Sequence, residues 1–323
     1  MIARLARRPT AEPATGRDPL RVIRTPDRPG PGPVPSALLR ALDLTLLRRV
    51  EGLLAGEHRA VALGPGTDLA QIRPYQPGDD VRRIDWNVTA RTNEPHVRVH
   101  VAERAATAWL LLDTSPSMTF GTADRRKADV AEGVALVFGH VVTRRGNRLG
   151  IATFGGRASR TVPPRQGRVG LVGLLEIVRA EPEPDGAGAT SLGPIVRRTG
   201  HLARHRGLVA IVSDFRGPRD WRQPLVELAG RHEVLAVEIR DPREQVLPDV
   251  GDIWLVDPET SRQLRVDTAS RQLRERFAAA AAAECQEVAA ELRRSGADHV
   301  VLSTAGDWLQ SLARFLRRRG EHR

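Results

Sequence analysis

Three oxygen-bearing side chains that could bind a metal ion follow a short apolar run near residue 110. The run covers residues 108–112 and is typical of a buried strand. Asp113, Ser115 and Ser117 come next at alternate positions, so their side chains point the same way if this loop is extended. Carboxylate and hydroxyl oxygens are hard ligands, which suit Mg²⁺ or Mn²⁺ better than zinc. The pattern indicates a divalent-cation site on a loop that we expect to be exposed.

Two later residues could complete this site. Thr190 lies in a glycine-rich loop ahead of a helical pattern, and Asp214 follows the apolar run 208–213. In an open α/β sheet, groups that bind ligands gather at the carboxyl ends of the strands. Asp113 and Asp214 both come at such ends, so we predict that they meet. The alternative is that the aspartate and the serines only cap a turn and the following helix, which is a common use of these residues.

In their order and strand context, these five positions resemble the metal-ion-dependent adhesion site of von Willebrand factor A domains. The resemblance implies a Rossmann-like α/β fold with a mainly parallel sheet and helices on both faces. It also implies a bound Mg²⁺ or Mn²⁺ ion. The metal ligands that it implies are Asp113, Ser115, Ser117, Thr190 and Asp214.

A second motif lies upstream, at residues 72–86, with the sequence Ile-Arg-Pro-Tyr-Gln-Pro-Gly-Asp-Asp-Val-Arg-Arg-Ile-Asp-Trp. Together with Thr-Ala-Arg at 89–91 and Glu103, it resembles the signature of the bacterial family called domain of unknown function 58. Members of that family carry a von Willebrand A-like domain and are commonly paired with MoxR-type AAA+ ATPases. The resemblance implies a co-chaperone or adaptor role beside such an ATPase, and it implies no established catalytic activity.

Charges of both signs nearly balance within this second motif. We predict that they form an ion-pair network that fixes a loop fold, with Tyr75, Ile84 and Trp86 as buried residues of the same block. Pro77 and Gly78 form a typical turn signal inside it. A catalytic pair of charged residues is the alternative.

The best catalytic alternative for the whole chain is a Mg²⁺-dependent phosphotransferase of the haloacid dehalogenase type. Asp113 would then accept the phosphoryl group and Asp214 would bind the metal. That class has a second aspartate two residues after the first, where this chain has Ser115, and a lysine near the acceptor. Lys127 is the only lysine, and we expect it along the first helix of the α/β domain. The sequence also contains no P-loop and no Gly-x-Ser-x-Gly motif, so we predict a non-enzymatic, metal-dependent protein-interaction module.

Composition limits the class of protein further. The formal charge of +11 comes with 50 lysine and arginine residues, nearly all arginine, and acidic residues interleave with them along most of the chain. This skew indicates coding bias rather than a phosphate-binding surface, so we predict no nucleic-acid partner. A single cysteine, Cys285, excludes an intrachain disulfide and indicates a reducing compartment. No stretch reaches the about 18 apolar residues of a membrane span, and we predict a cytoplasmic protein with no transmembrane segment.

The chain divides by composition into three parts. Residues 1–35 contain eight prolines and many arginines, which predicts a disordered tail. Residues 36–105 are predicted to hold a helix over 36–54, which packs on its own domain or docks on a membrane or a partner, and a small β-rich module. Residues 106–323 alternate between strand and helix patterns, which predicts a mainly parallel sheet with helices on both faces, the fold that the resemblance implies. A hairpin over residues 253–266 is inserted late in that alternation.

Overall fold

The computed structural model describes residues 26, 30–35, 63–101, 105–144, 146–156, 159–178 and 190–320. The predicted helix over residues 36–54 lies outside these ranges. The chain separates into two compact units. The smaller unit is Val50–Ala106, and the larger one combines Met1–Arg49 with Thr107–Arg323.

The smaller unit is built on a two-stranded antiparallel sheet. Strand β1 (Leu63–Pro74) pairs with strand β2 (His96–Val101). A short 3-10 helix (Val81–Arg83) and helix α1 (Trp86–Thr92) lie between the two strands in sequence. The second sequence motif therefore covers the end of β1 and the whole connection as far as the start of α1.

An ion pair closes the turn after β1. The Arg73 guanidinium donates to both oxygens of Asp79, at 2.8 and 2.7 Å, and Asp79 also accepts from the backbone N–H of Gln76 at 2.8 Å. These contacts hold a turn in which Gly78 has a φ of 106°, a conformation that favours glycine. The balanced charges do pair here as predicted. In contrast, the prediction that Trp86 is buried is wrong, because its side chain is 70% exposed.

Asp85 joins α1 to β2. Its Oδ1 accepts from the backbone N–H groups of Asn87 and Val88, at 3.0 and 3.2 Å, which caps the first turn of α1. Its Oδ2 accepts from Arg98 Nε on β2 at 2.8 Å. The hydrogen bonds from Arg98 and Val88 hold the pKa of this carboxyl below the ordinary aspartate value. One buried carboxylate thus satisfies two helix-terminal donors and one guanidinium.

We expect Asp85→Ala to lower the midpoint of thermal unfolding by about 5 °C, because α1 loses its cap and Arg98 loses its acceptor. Differential scanning calorimetry measures the shift. Asp80→Ala is the matched control, since Asp80 is exposed and caps only the one-turn 3-10 helix, through the backbone N–H of Arg82 at 3.0 Å. A shift for Asp85→Ala as small as that of the control would show that the block is not structural.

The larger unit alternates between strands and helices. Its strands are β3 (Thr107–Asp113), β4 (Arg148–Phe154), β5 (Thr161–Gln166), β6 (Leu208–Ser213), β7 (Glu233–Arg240), β8 (Asp252–Val256), β9 (Gln263–Asp267) and β10 (Asp298–Ser303). Its α-helices are α2 (Lys127–Arg144), α3 (Gly167–Val178), α4 (Gly193–Leu202), α5 (Arg222–Ala229), α6 (Arg271–Arg294) and α7 (Trp308–Gly320). Short 3-10 helices, Pro116–Thr119 and Pro242–Glu244, follow β3 and β7.

Six of these strands form one sheet in the order β10-β7-β6-β3-β4-β5. Neighbouring strands are parallel except for β4 and β5. Strands β3 and β6 are adjacent near the middle, and every residue of β6 is buried. Continuous apolar strands of this kind are typical of parallel sheets covered by helices. The predicted α/β class with a mainly parallel sheet is confirmed.

The core of this unit is mainly aliphatic. One cluster joins the sheet to α4, α5 and α6 and includes Trp109, Val196, Ile211, Leu225 and Leu292. A separate, smaller cluster packs the β8–β9 hairpin on α6. Its members are Leu247, Ile253 and Leu255, with Val250, Val266, Leu273 and Phe277 against them. The sheet edge that carries the site is therefore supported by one core and the hairpin by another.

Two elements differ from the sequence prediction. Strand β5, which was not predicted, has two prolines in the run Thr-Val-Pro-Pro-Arg-Gln, and proline is uncommon within sheets. Proline is tolerated here because β5 lies at the edge of the sheet and pairs only with β4. Helix α5 is the other addition, between β6 and β7.

Residues 30–35, at the end of the predicted disordered tail, contact other parts of the larger unit. The Pro31 carbonyl accepts from Arg125 Nη1 at 2.8 Å and from Trp308 Nε1 at 2.9 Å. A Cβ atom at Gly133 on α2 would lie 2.3 Å from Trp308 and 2.8 Å from Pro31, so this packing requires glycine. Within the described residues, none of the helices combines the length and the apolar character needed to cross a bilayer.

Candidate metal-binding site

The structure brings the five predicted residues to one edge of the sheet. Strands β3 and β6 are paired neighbours, with Leu112 opposite Val212, so Asp113 and Asp214 leave the sheet side by side. Thr190 approaches from the loop before α4. Four of the five residues line one cavity of about 290 Å³, namely Asp113, Ser117, Thr190 and Asp214. Ser115 lies behind them, with its Oγ 3.0 Å from Ser117 Oγ.

The expectation of an extended, exposed loop after β3 is wrong. The loop turns into the 3-10 helix Pro116–Thr119, and the side chains of Ser115 and Ser117 are only 1% and 3% exposed. The backbone N–H of Ser115 donates to Asp113 Oδ1 at 2.9 Å, which tightens the turn. The two hydroxyls and the carboxylate converge because the chain folds back, and not because alternate residues share a face.

Asp113 is a buried carboxyl group whose surroundings disfavour its charged form. Burial, and then the nearby charge of Asp214, raise the pKa of Asp113 to about 7. Its Oδ2 accepts from Ser213 Oγ at 2.5 Å. Sequence reasoning missed Ser213, although it is the last residue of β6 and directly precedes Asp214.

Lys127 is the second residue near the site whose contacts the sequence did not indicate. It begins α2 as expected, but its ammonium is fully buried and lies 2.6 Å from Asp214 Oδ2 and 2.8 Å from Glu244 Oε1. Burial alone would lower the pKa of Lys127, yet the two carboxylates outweigh it and raise that pKa. Burial would likewise raise the pKa of Asp214, but Lys127 and then Arg216 hold it below the ordinary value. Asp214 is therefore ionised, with one of its oxygens shared with a lysine.

Glu259 is a third residue near the site, and no motif in the sequence indicated it. It lies in the turn of the β8–β9 hairpin and is half-buried. Its Oε2 accepts from Thr190 Oγ1 at 2.9 Å, and its Oε1 accepts from the backbone N–H of Ser117 at 3.3 Å. Burial is the main cause that raises the pKa of Glu259 above the ordinary value.

The residues present fit a hard divalent cation. The cavity is lined by one arginine, Arg216, and by five carboxylates, from Asp113, Asp214, Asp257, Glu259 and Glu284. Among the described residues, no group of three or more Asp, Glu, His or Cys side chains is arranged so that it could hold a metal ion. The hydroxyls of Ser115, Ser117 and Thr190 would then supply part of any ligand set, and oxygen-only sets suit Mg²⁺ or Mn²⁺. A cation here would also offset the burial of Asp113.

Gly217 allows the loops of Thr190 and Asp214 to approach each other. A Cβ atom at Gly217 would lie 2.1 Å from the carbonyl oxygen of Thr190. The carboxylate of Asp220 holds the same loop, because it accepts from Ser191 Oγ at 2.5 Å and from the backbone N–H of Gly193 at 3.2 Å. The position of the Thr190 hydroxyl therefore depends on a glycine at 217.

We expect Gly217→Ala to weaken Mn²⁺ binding by about tenfold, because the added methyl group displaces the Thr190 loop. Calorimetric titration with MnCl₂ measures the affinity, and circular dichroism checks the fold. Gly230→Ala at the end of α5 is the control, since the nearest atom to a Cβ there is 3.5 Å away. Unchanged affinity in Gly217→Ala would mean that Thr190 contributes nothing to cation binding.

Comparisons with known proteins give one family and several similar structures. A family model described as "Protein of unknown function DUF58" matches residues 71–287. The uncharacterized protein Rv1480 of Mycobacterium tuberculosis is 43% identical over 289 residues, which cover 88% of this chain and 90% of that protein. The uncharacterized protein Mb1516 of Mycobacterium bovis gives the same values.

Two similar solved structures are more distant in sequence. The conserved hypothetical protein BatB of Bacteroides thetaiotaomicron has a TM-score of 0.40 at 10% identity and covers 67% of this chain and 100% of that one. A von Willebrand factor type A structure from Catenulispora acidiphila has a TM-score of 0.36 at 13% identity and covers 69% of this chain and 43% of that one.

Proposed function

We propose that this chain, which belongs to the DUF58 family, is a non-enzymatic, metal-dependent protein-interaction module. The family that the two sequence motifs predicted is confirmed. We further propose that the module works in the cytoplasm as a co-chaperone or adaptor of a MoxR-type AAA+ ATPase. The observation that carries the proposal is the convergence of Asp113, Ser117, Thr190 and Asp214 on one acidic cavity.

The metal proposed here is Mg²⁺ or Mn²⁺. When bound, it would supply a positive centre that attracts an acidic side chain of a partner. The side chains that would hold it are those of Asp113, Ser115, Ser117, Thr190 and Asp214. Since only two of these carry charge, and Asp214 also faces Lys127, the ligand set is weakly charged for a divalent cation. A further carboxylate from a partner would complete it.

The arrangement of Asp113 favours binding over phosphoryl transfer. The phosphotransferase class has a second aspartate two residues after the acceptor, and this chain has Ser115 there, whose backbone N–H donates to Asp113 Oδ1 at 2.9 Å. Lys127, which the phosphotransferase alternative needs beside the acceptor, is instead bonded to Asp214 and Glu244.

Affinity capture of a MoxR-type ATPase on the immobilised chain tests the proposal. We expect capture in Mg²⁺, loss of capture in excess chelator, and recovery when Mg²⁺ is restored. Ser117→Ala should weaken capture, and Ser311→Ala on α7 is the control outside the cavity. Because Ser117 is buried, the thermal stability of each variant is measured in parallel. Capture that survives both full chelation and Ser117→Ala would place the partner elsewhere and refute a metal-dependent contact.

A further inference from the structure

We propose that Glu259 is an internal ligand of the metal site and occupies the position that a partner's carboxylate takes. This inference rests on the proposed function, since it concerns the same metal site. It adds a ligand that lies outside the five positions of the sequence motif. It also specifies what a partner must displace, which is the turn of the β8–β9 hairpin.

The contacts of Glu259 are with two different site loops. Its carboxylate accepts from the hydroxyl of Thr190 at 2.9 Å and from the backbone N–H of Ser117 at 3.3 Å. Thr190 and Ser117 are two of the five predicted ligands, and they are separated by more than seventy residues of sequence. Glu259 therefore bridges the hydroxyl side of the site, which faces the same cavity as Asp113 and Asp214.

The turn that presents Glu259 is held by its own hydrogen bonds. The Asp257 carboxylate accepts from the backbone N–H of Glu259 at 3.0 Å and from Thr260 Oγ1 at 2.6 Å. The backbone N–H of Ser261 donates to the Asp257 carbonyl at 2.8 Å, and Ser261 has a φ of 57°. A non-glycine residue in this conformation is uncommon and shows that the turn is tightly specified.

The base of the hairpin is anchored as well. Ile253 and Leu255 of β8 are buried in the cluster that includes Leu273 and Phe277 of α6. Leu255 lies only two residues before Asp257, so the packed strand fixes where the turn begins. The Glu259 carboxylate is therefore presented to the cavity from a packed hairpin.

The charges around Glu259 favour a cation at this position. No arginine or lysine among the described residues forms an ion pair with Glu259. The negative charge of Asp214, which lines the same cavity, repels it. Two hydrogen bonds hold the carboxylate against that repulsion, and a bound divalent cation would convert the repulsion into shared coordination.

The test uses the full chain and Mn²⁺ as the probe. Calorimetry gives the Mn²⁺ affinity, and the relaxation rate of water protons reports how many exchangeable waters the bound Mn²⁺ carries. We expect Glu259→Ala to weaken Mn²⁺ binding by about tenfold and to raise the relaxation enhancement, because water enters the vacated position. Acetate should then lower the enhancement in Glu259→Ala and leave the wild type unchanged, since it supplies the missing carboxylate.

Glu284→Gln is the matched control. Glu284 lines the same cavity from α6 and is also half-buried, so this variant removes the same charge from the cavity at another place. Glu259→Gln, which keeps the size of the side chain, provides a second variant in case alanine disturbs the turn. We expect Glu284→Gln to keep the wild-type affinity within about twofold and to show no effect of acetate.

The outcomes separate the two proposals. Mn²⁺ binding by the wild type that is unchanged in Glu259→Ala and Glu259→Gln overturns the role of Glu259 and leaves the metal site intact. Equal losses in the Glu259 and Glu284 variants also overturn it, because only the overall charge would then matter. Binding by neither the wild type nor any variant refutes the metal site itself, and the role of Glu259 with it.

Discussion

Replacing Lys127 with methionine should lower the free energy of unfolding by about 3–5 kcal/mol. The ammonium is fully buried and is the partner of two carboxylates, Asp214 at 2.6 Å and Glu244 at 2.8 Å. Methionine has a similar length and fills the same apolar space, but it leaves both carboxylates without this counter-charge. Removing one partner of a buried ion pair destabilises strongly, since the other charge stays out of water.

Urea unfolding followed by circular dichroism measures the loss. Arg265→Met is the matched control, because Arg265 forms an exposed ion pair with Asp252, at 2.5 Å, across the β8–β9 hairpin. An exposed pair contributes at most about 1 kcal/mol, so the control separates burial from the mere loss of a charge. Adding Asp214→Asn and Glu244→Gln to Lys127→Met should recover part of the stability. Similar losses for Lys127→Met and Arg265→Met would show that the buried pair is not a major source of stability.

Asp113→Asn should have opposite effects on metal binding and on the stability of the metal-free protein. We expect Mn²⁺ affinity to fall by about 100-fold, because a charged ligand is lost. In chelator, by contrast, the variant avoids the burial of a carboxylate beside Asp214. Calorimetric titration and urea unfolding measure the two effects on the same preparations.

The pKa of Asp113 predicts how the stability of the metal-free protein changes with pH. The folded-state pKa of Asp113 is about 7, whereas an aspartate in the unfolded chain has a pKa of about 3.9. Between these two pKa values the folded protein binds more protons than the unfolded chain. The free energy of unfolding therefore falls as the pH rises, and the contribution of Asp113 does not change further above about pH 7. The wild type should therefore lose on the order of 2 kcal/mol more than Asp113→Asn between pH 5 and pH 8 in chelator.

Asparagine also alters the hydrogen bonds at position 113, but that effect on stability does not change with pH. It therefore does not affect the difference between the two pH profiles. Mg²⁺ should then stabilise the wild type at pH 8 by mass action and leave the variant unchanged. Parallel pH profiles for the two proteins would show that Asp113 does not titrate in this range. Equal stabilisation of both by Mg²⁺ would show that the cation binds elsewhere.

Local patterns in the sequence were sufficient to predict the sheet and the approximate site. Apolar runs determine strands β3 and β6, and the polar residue after each run lies at a carboxyl end, so these runs alone place Asp113 and Asp214 at one edge of the sheet. The helix patterns between such runs likewise predicted a mainly parallel sheet. These features depend on periods of two to four residues and on connection lengths, which a single sequence contains.

The tertiary structure alone decided which charges meet at that edge. Lys127 pairs with Asp214 across 87 residues, and Glu259 reaches Thr190 across 69 residues. Both contacts depend on how α2 and the β8–β9 hairpin pack against the sheet, and no local period contains that information. The burial of Ser115 and Ser117 depends on a turn that an alternating pattern does not reveal. Long-range packing therefore places the buried Lys127 against Asp214 and places Glu259 against Thr190, and the five-residue motif contains neither contact.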